Sequence, residues 1–162
     1  MENNLLSAIE ISTDKNKLDR HLIHKTLSQT YWAQNIPRQV VDKSIDHAFC
    51  FGVYLQGEQI GFARVITDYT TFAYLSDVFV LEPYMGKGVA KKLVNYILQH
   101  PDLQGLRRWV LVTKDAQTLY QQLGYKPLKF PERYMEILYE NVYAPAQNIT
   151  NSINNSEANS RQ

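Results

Sequence analysis

Asp77-Val78-Phe79-Val80-Leu81-Glu82-Pro83-Tyr84-Met85-Gly86-Lys87-Gly88-Val89-Ala90-Lys91-Lys92-Leu93 is the stretch that decides the fold. Its first residues end an apolar strand, its two glycines break the chain, and Val89, Leu93, Tyr96 and Ile97 then recur at helical spacing. Strand, glycine turn, helix is therefore the order. Glycines let a backbone approach a ligand closely, and the unbonded N–H groups of a helix start, together with the helix dipole, form an anion site. A phosphate-bearing ligand suits such a turn, and so does a tight turn with no ligand. A P-loop would need Gly, four residues, then Gly-Lys-Ser/Thr, and a dinucleotide fingerprint would need a third glycine at Lys91, so both readings drop.

Upstream, Thr71 to Leu81 is nearly continuous in apolar and aromatic residues, the pattern of a central strand, and Asp77 is its one charged interior residue. Before it Phe51, Val53 and Leu55 alternate, Gln56-Gly57-Glu58 supplies a turn and Gln59 to Thr67 is extended again, which predicts a β-hairpin. Earlier still the period lengthens. Leu18 with Leu22, and Ile23 with Leu27 and Tyr31, form a helical stripe over Lys17 to Ala33 that assigns Tyr31 to packing. Pro37, suited to a first turn, opens a second helix with Val41, Ile45 and Ala48 on one side, and a short apolar stretch around Ile9 and Ile11 precedes both. Downstream, Arg108 to Thr113 reads as a strand and Asp115 to Leu123 as a helix stopped by Gly124. Two more β-like pieces follow at Tyr125 to Leu128 and Tyr134 to Tyr139. From Ala144 onward Asn and Ser dominate, so the expectation is one domain over residues 1–143 and a disordered tail over 144–162.

Composition narrows the function classes. The chain has 162 residues, 44% apolar and 20% charged, as expected for one globular domain. Cys50 is the single cysteine, which excludes an internal disulfide and a multi-thiolate metal site. With 17 Lys and Arg against 16 Asp and Glu, the net charge of +1 gives no bulk field toward nucleic acid or an anionic membrane, and neither partner is expected. His21 and His24 are three apart with no acidic or thiol ligand beside them, so no metal is expected either. No basic leader with a long apolar run follows Met1, which makes the cytoplasm the expected location.

Two segments together carry a resemblance, covering roughly residues 9 to 140. Met85-Gly86-Lys87-Gly88-Val89-Ala90 is similar to the Arg/Gln-x-x-Gly-x-Gly/Ala turn of the GNAT family of acetyl-CoA-dependent N-acetyltransferases, with Met85 departing at the first position. Ala116-Gln117-Thr118-Leu119-Tyr120-Gln121-Gln122-Leu123-Gly124-Tyr125 resembles that family's Ala-x-x-Leu/Phe-Tyr-x-x-x-Gly-Phe/Tyr segment. The resemblance implies an α/β (α+β) fold: a mixed, mostly antiparallel sheet flanked by helices and splayed between strands four and five, with acetyl-CoA in the splay. It implies that main-chain N–H groups of the turn, from Met85, Gly86 and Lys87 to Gly88, Val89 and Ala90, hold the coenzyme A pyrophosphate. Lys91 and Lys92 either add attraction or form a solvated face. A strand bulge at Val78, Phe79 and Val80 would offer unpaired amides to the pantetheine arm and to an acyl oxygen gaining charge. Asp115 stands where many members carry an Asn that bonds the same arm.

The resemblance also implies a residue that helps a thiolate leave. In the second segment that residue is Tyr120, whose phenol suits the task because a thiol titrates near 8.5 and tyrosine near 10. Its position on the apolar stripe with Ala116 and Leu123 equally suits packing. An acceptor amine must lose a proton. Asp77 is the leading base, since desolvation inside an apolar strand raises a carboxyl pKa; pairing with Arg64 is its alternative, and Glu82 and a water relay come next. Asp68, Tyr69 and Tyr74 are expected to border the acceptor. The implied activity is acetyl transfer to a primary amine of a small molecule or peptide by direct attack in a ternary complex, and a homodimer is common in the family. The alternative, motivated by Met85 and Asp115, is a non-catalytic acetyl-CoA-binding or interaction module.

Overall fold

The computed structural model describes residues 2–144, so the expected tail lies almost wholly outside the described residues. Helix α1 (Glu2–Ala8) leads into strand β1 (Ile9–Ser12), followed by helices α2 (Arg20–Leu27) and α3 (Arg38–Asp46). Strands β2 (Phe49–Leu55), β3 (Glu58–Thr67) and β4 (Phe72–Val80) come next, then α4 (Val89–Leu98), β5 (Arg108–Val110) and α5 (Gln117–Gln122). The strands form one sheet in the order β1-β2-β3-β4-β5, antiparallel throughout except for the parallel β4–β5 pair. This is the mixed, helix-flanked sheet expected from the sequence.

The β2–β3 hairpin turns on Gln56 and Gly57, both at positive φ (51° and 84°), the two-residue geometry whose twist matches that of the paired strands. Two apolar clusters, one on each face, fix the layers. Phe51, Val53, Val65, Leu75 and the α4 residues Leu93, Val94 and Ile97 form one; Ile23, Leu27, Val41, Ile45, Cys50, Phe62 and Phe79 form the other, with α2 and α3. Asp19 caps α2 by accepting the Leu22 N–H at 2.9 Å.

Three expectations fail locally. The stripe over Lys17 to Ala33 is not one helix: α2 ends at Leu27, where the Ser28 and Thr30 hydroxyls bond the carbonyls of Lys25 and Leu27, and Asn35 takes a left-handed φ of 62°. Tyr31 therefore leaves the packing face and is 54% exposed. The strand expected over Arg108 to Thr113 pairs only through Val110. Neither Tyr125 to Leu128 nor Tyr134 to Tyr139 is a strand within this chain, because no strand pairs with the outer edge of β5 among the described residues.

Candidate active site

Strand β4 carries the bulge. Phe79 faces Phe62 across the ladder while Ser76 faces Arg64, so β4 places three steps against two steps of β3. The extra residue changes which side chains face α4. Ala73 and Leu75, at odd positions, join the α4-side cluster before it; Val78 packs against that cluster and Val80 belongs to it, at even positions, after it, while Phe79 turns to the α2–α3 side. At the bulge Asp77 holds φ at 53°, a left-handed conformation that Asp tolerates better than most residues.

Beside the bulge the sheet opens. Strand β5 pairs with Phe72, Ala73 and Tyr74 only, so among the described residues that edge of β4 has no strand neighbour from Leu75 to Val80. The resulting wedge is a cavity of about 440 Å³ lined by Tyr31, Trp32, Tyr74, Ser76, Asp77, Val78, Lys114, Asp115 and Tyr120 among others. Asp77 is held from two sides. Its Oδ2 accepts from Arg64 Nε at 2.8 Å and its Oδ1 from Trp32 Nε1 at 3.1 Å, and the Arg64 and Asp77 side chains are 16% and 8% exposed. The pairing with Arg64 is thus realised, and each carboxylate oxygen keeps a lone pair free. Tyr31 closes the opposite wall: its hydroxyl accepts the Lys114 N–H at 3.0 Å, its ring stands edge-on to Trp32 at 5.0 Å, and the Lys114 ammonium lies 5.6 Å from its centroid.

Tyr120 is fixed by the way α5 ends. Gly124, at φ 99°, donates to the Gln121 carbonyl at 3.2 Å and Tyr125 donates to the Tyr120 carbonyl at 3.1 Å, the paired bonds of a Schellman cap. That motif brings its flanking side chains together, and the rings of Tyr120 and Tyr125 meet edge-on at 5.8 Å. Burial, and then the neighbouring Tyr31, raise the Tyr120 pKa above its ordinary value, so the phenol keeps its proton at neutral pH. Tyr74 is raised likewise, chiefly by burial and secondarily by Asp77.

At the inner end of β4 the chain passes through a short 3-10 turn (Glu82–Tyr84) into the glycine turn. Gly86 and Gly88 take φ of 72° and 82°, and Gly88 caps α4 without any side-chain bond, so the first N–H groups of the helix stay unclaimed among the described residues. Lys87 and Lys91 are exposed beside it, whereas the Lys92 ammonium bonds the carbonyl of Leu6 and belongs to the α1 contact. A left-handed turn, an uncapped helix start and an open strand edge in line fit a long phosphate-bearing arm such as coenzyme A.

Not every expected residue converges here. Asp77, Val78, Tyr74, Asp115 and Tyr120 line the cavity; the side chains of Phe79 and Val80 are buried in the core, leaving only their backbone for a ligand. Asp68 and Tyr69 lie at the far end of β4, outside it. The Asp68 carboxylate caps its own turn, accepting from the N–H groups of Thr70, Thr71 and Phe72 and from the Thr71 hydroxyl at 2.6 Å, and Tyr69 packs on Phe49 at 5.4 Å. Glu82 is exposed and does not line the cavity. Tyr31 was assigned to packing and Trp32 and Lys114 were given no role in the sequence, where only the helix-stopping cluster of Ser28, Thr30 and Asn35 hinted that Tyr31 and Trp32 sit in a loop.

Residues 18–125 match the acetyltransferase (GNAT) family. The chain belongs to the GNAT family. A Gibberella zeae protein to which acetyltransferase activity has been ascribed is 31% identical over 140 residues, covering 72% of this chain and 78% of its own. A crystal structure from Xanthomonas campestris pv. campestris, assigned to the same GNAT family, is 50% identical with a TM-score of 0.82, covering 85% of this chain and 97% of that one. AAC(6')-Iy, solved with the bisubstrate analogue CoA-S-monomethyl-acetylneamine, shares the fold at 21% identity and a TM-score of 0.59, covering 82% and 97%. The GNAT assignment makes the protein an acetyltransferase, and the family uses acetyl-CoA. Among the described residues no helix is long and apolar enough to cross a membrane, and no group of three or more His, Cys, Asp or Glu could hold a metal ion.

Proposed function

We propose that this protein is an acetyl-CoA-dependent N-acetyltransferase that acetylates a primary amine of a small molecule or peptide while both substrates are bound. The observation that carries the reading is the convergence of the β4 bulge, the opened β4–β5 edge and the capped Tyr120 on one cavity. Acetyl-CoA, when bound, supplies an acyl group activated as a thioester. The turn amides from Gly86 to Ala90 hold its phosphates; the Met85 N–H is bonded to the Glu82 carbonyl at 3.2 Å, and its side chain is no obstacle because the contacts come from the main chain of the residues after it. Of the segment Val78, Phe79 and Val80, the backbone N–H groups on the β4 edge that β5 leaves open face the arm and the acyl oxygen, where fixed N–H dipoles stabilise developing charge. Asp115, exposed at the cavity rim, contributes an oxygen acceptor to the same arm.

Tyr120 holds its proton until a thiolate forms and then gives it up or bonds to it. Asp77 receives the acceptor amine. Its carboxylate, anchored by Arg64 and Trp32, accepts an ammonium N–H with a free lone pair and passes the proton to water, while Tyr74, Tyr31 and Trp32 shape the acceptor's surroundings. Asp68 and Tyr69 act at a distance, by setting the β3–β4 turn. The test is thiol release from acetyl-CoA against an amine panel. Tyr120→Phe should lower kcat by roughly 10²–10⁴-fold with KM for acetyl-CoA unchanged. Tight acetyl-CoA binding without turnover on any amine would instead support a non-catalytic binding module.

A further inference from the structure

The loop between α2 and α3 carries two large rings that the core does not use. Tyr31 and Trp32 are 54% and 45% exposed, yet neither is free to turn. Trp32 Nε1 donates to Asp77 Oδ1 at 3.1 Å, the Tyr31 hydroxyl accepts the Lys114 N–H at 3.0 Å, and the two rings stand edge-on at 5.0 Å. Beside them Ala33 is buried, and the Asn35 N–H closes the loop on the Ser28 carbonyl at 3.0 Å. Exposed aromatic surface is unfavourable in water, and here hydrogen bonds to two distant segments hold it toward one cavity. Rings fixed before a ligand arrives bind it with little further ordering.

The charges of the cavity narrow the ligand. Asp77 is paired with Arg64 at 2.8 Å, and at the rim Asp115 stands next to Lys114, so these charges cancel. A body with several cations would meet no acidic cluster. One with a phosphate would meet Lys114 alone, whose ammonium already lies 5.6 Å from the Tyr31 ring centroid. A hydroxyl-rich body fares no better, because Thr113 Oγ1 already accepts the Ala116 N–H at 3.1 Å and the Tyr31 hydroxyl that of Lys114. What remains is apolar: Tyr31, Trp32 and Tyr74, with Leu111 and Val112.

We propose that the acceptor is an arylalkylamine, a primary amine joined by a short chain to a flat apolar ring, with the ring against Tyr31 and Trp32 and the ammonium at Asp77. The amine's place at Asp77 rests on the N-acetyltransferase reading; the aromatic body goes beyond it. Because the indole N–H ends on the Asp77 carboxylate, an ammonium on that carboxylate sits beside the aromatic surface, and a short link spans the two. The neighbouring ring faces also attract the ammonium itself. Tyr31 and Trp32 thereby select the body of the amine, while Asp77 selects its charged end.

Thiol release by the full chain is measured at saturating acetyl-CoA with phenethylamine, n-butylamine, spermidine and glucosamine. The kcat/KM for phenethylamine should exceed that for n-butylamine roughly 10–100-fold, with spermidine and glucosamine no better than n-butylamine. In Tyr31→Leu and Trp32→Leu the phenethylamine-to-butylamine ratio should fall toward one; the ratio cancels any loss that both amines share. An unchanged ratio in both variants would overturn the role of the two rings. Calorimetric titration of the same amines into the wild-type protein with coenzyme A needs no variant to fold, and it separates the two ways of failing. Turnover without an aryl preference, or a preference for spermidine or glucosamine, overturns the arylalkylamine and leaves the N-acetyltransferase reading standing. No turnover, with phenethylamine bound about tenfold or more tighter than n-butylamine, supports the aromatic site and overturns the N-acetyltransferase reading. Neither turnover nor preferential binding overturns both.

Discussion

Replacing Asp77 tests the joint that holds the bulge, the acceptor wall and the loop of Trp32 together. Asp77→Ala removes the acceptor of two bonds, from Arg64 Nε at 2.8 Å and Trp32 Nε1 at 3.1 Å. It leaves a guanidinium on a side chain only 16% exposed, with the Ser76 hydroxyl at 3.4 Å as a weak remaining partner. Breaking a buried pair from one side costs about 3–5 kcal/mol, because the surviving charge has lost its compensation. Arg64 keeps some contact with water, which favours the lower end, but alanine must also hold the left-handed φ of 53°, which adds roughly 1–2 kcal/mol. The expected loss is about 4 kcal/mol. Asp77→Asn keeps the shape, the tolerance for that backbone and one carbonyl, so only the charge assistance is lost, about 1–2 kcal/mol. Arg64→Met combined with Asp77→Asn should cost less than the sum of its single changes, since neither then strands a charge. Urea unfolding followed by Trp fluorescence measures all four, with a common m-value as the condition for comparing them. A loss under about 1 kcal/mol for Asp77→Ala would show that the pair is solvated and that the argument from burial is wrong.

Gly124→Ala introduces a Cβ with no atom within 4 Å, so its cost, roughly 1–2 kcal/mol, is purely the backbone at φ 99°; relaxation of the cap should loosen Tyr120 and lower kcat more than it raises KM. Burial pushes the Cys50 thiol up to about 11, so at pH 8 the folded protein should resist iodoacetamide and react only as fast as it unfolds; rapid labelling of native protein would contradict its placement. The turn of Asp68 makes a pH prediction. Hydrogen bonds from the Thr71 hydroxyl and three backbone N–H groups hold its pKa below the ordinary value, so its contribution to stability is present above about pH 4 and is lost as pH falls toward the folded value. Asp68→Asn should therefore flatten the acid limb of stability against pH, and unchanged acid limbs in thermal melts would refute the assignment.

Residues whose role is local were legible in the sequence. The hairpin turn at Gln56-Gly57, the stop at Gly124, the glycines before α4 and the alternation in β2 follow from φ preferences and from a period of two, both confined to a few neighbours. Tyr120 was legible through the resemblance of Ala116 to Tyr125 to a family segment, whereas its place on an apolar stripe equally suited packing. The fold class followed from the resemblance carried by the glycine turn and the Ala116 to Tyr125 segment.

What crossed the chain was not legible. Tyr31 matched a helical period, yet a hydroxyl bond to the Lys114 backbone, 83 positions away, gives it another task. Asp77 could be singled out as the one charge in an apolar strand, but only the register of β3 against β4 shows it as the bulge, paired with Arg64 and Trp32. Asp68 carried the same chemistry and was drawn into its own turn instead. Tyr134 to Tyr139 shows the limit most plainly: its β-like residues predict a strand, and such a preference carries no information about whether an edge lies within reach to pair with it. Periodicity and turn chemistry are set within a few residues of backbone and so belong to the sequence alone. Pairing register and cavity depend on distances between segments far apart in the chain, and the tertiary structure decided those.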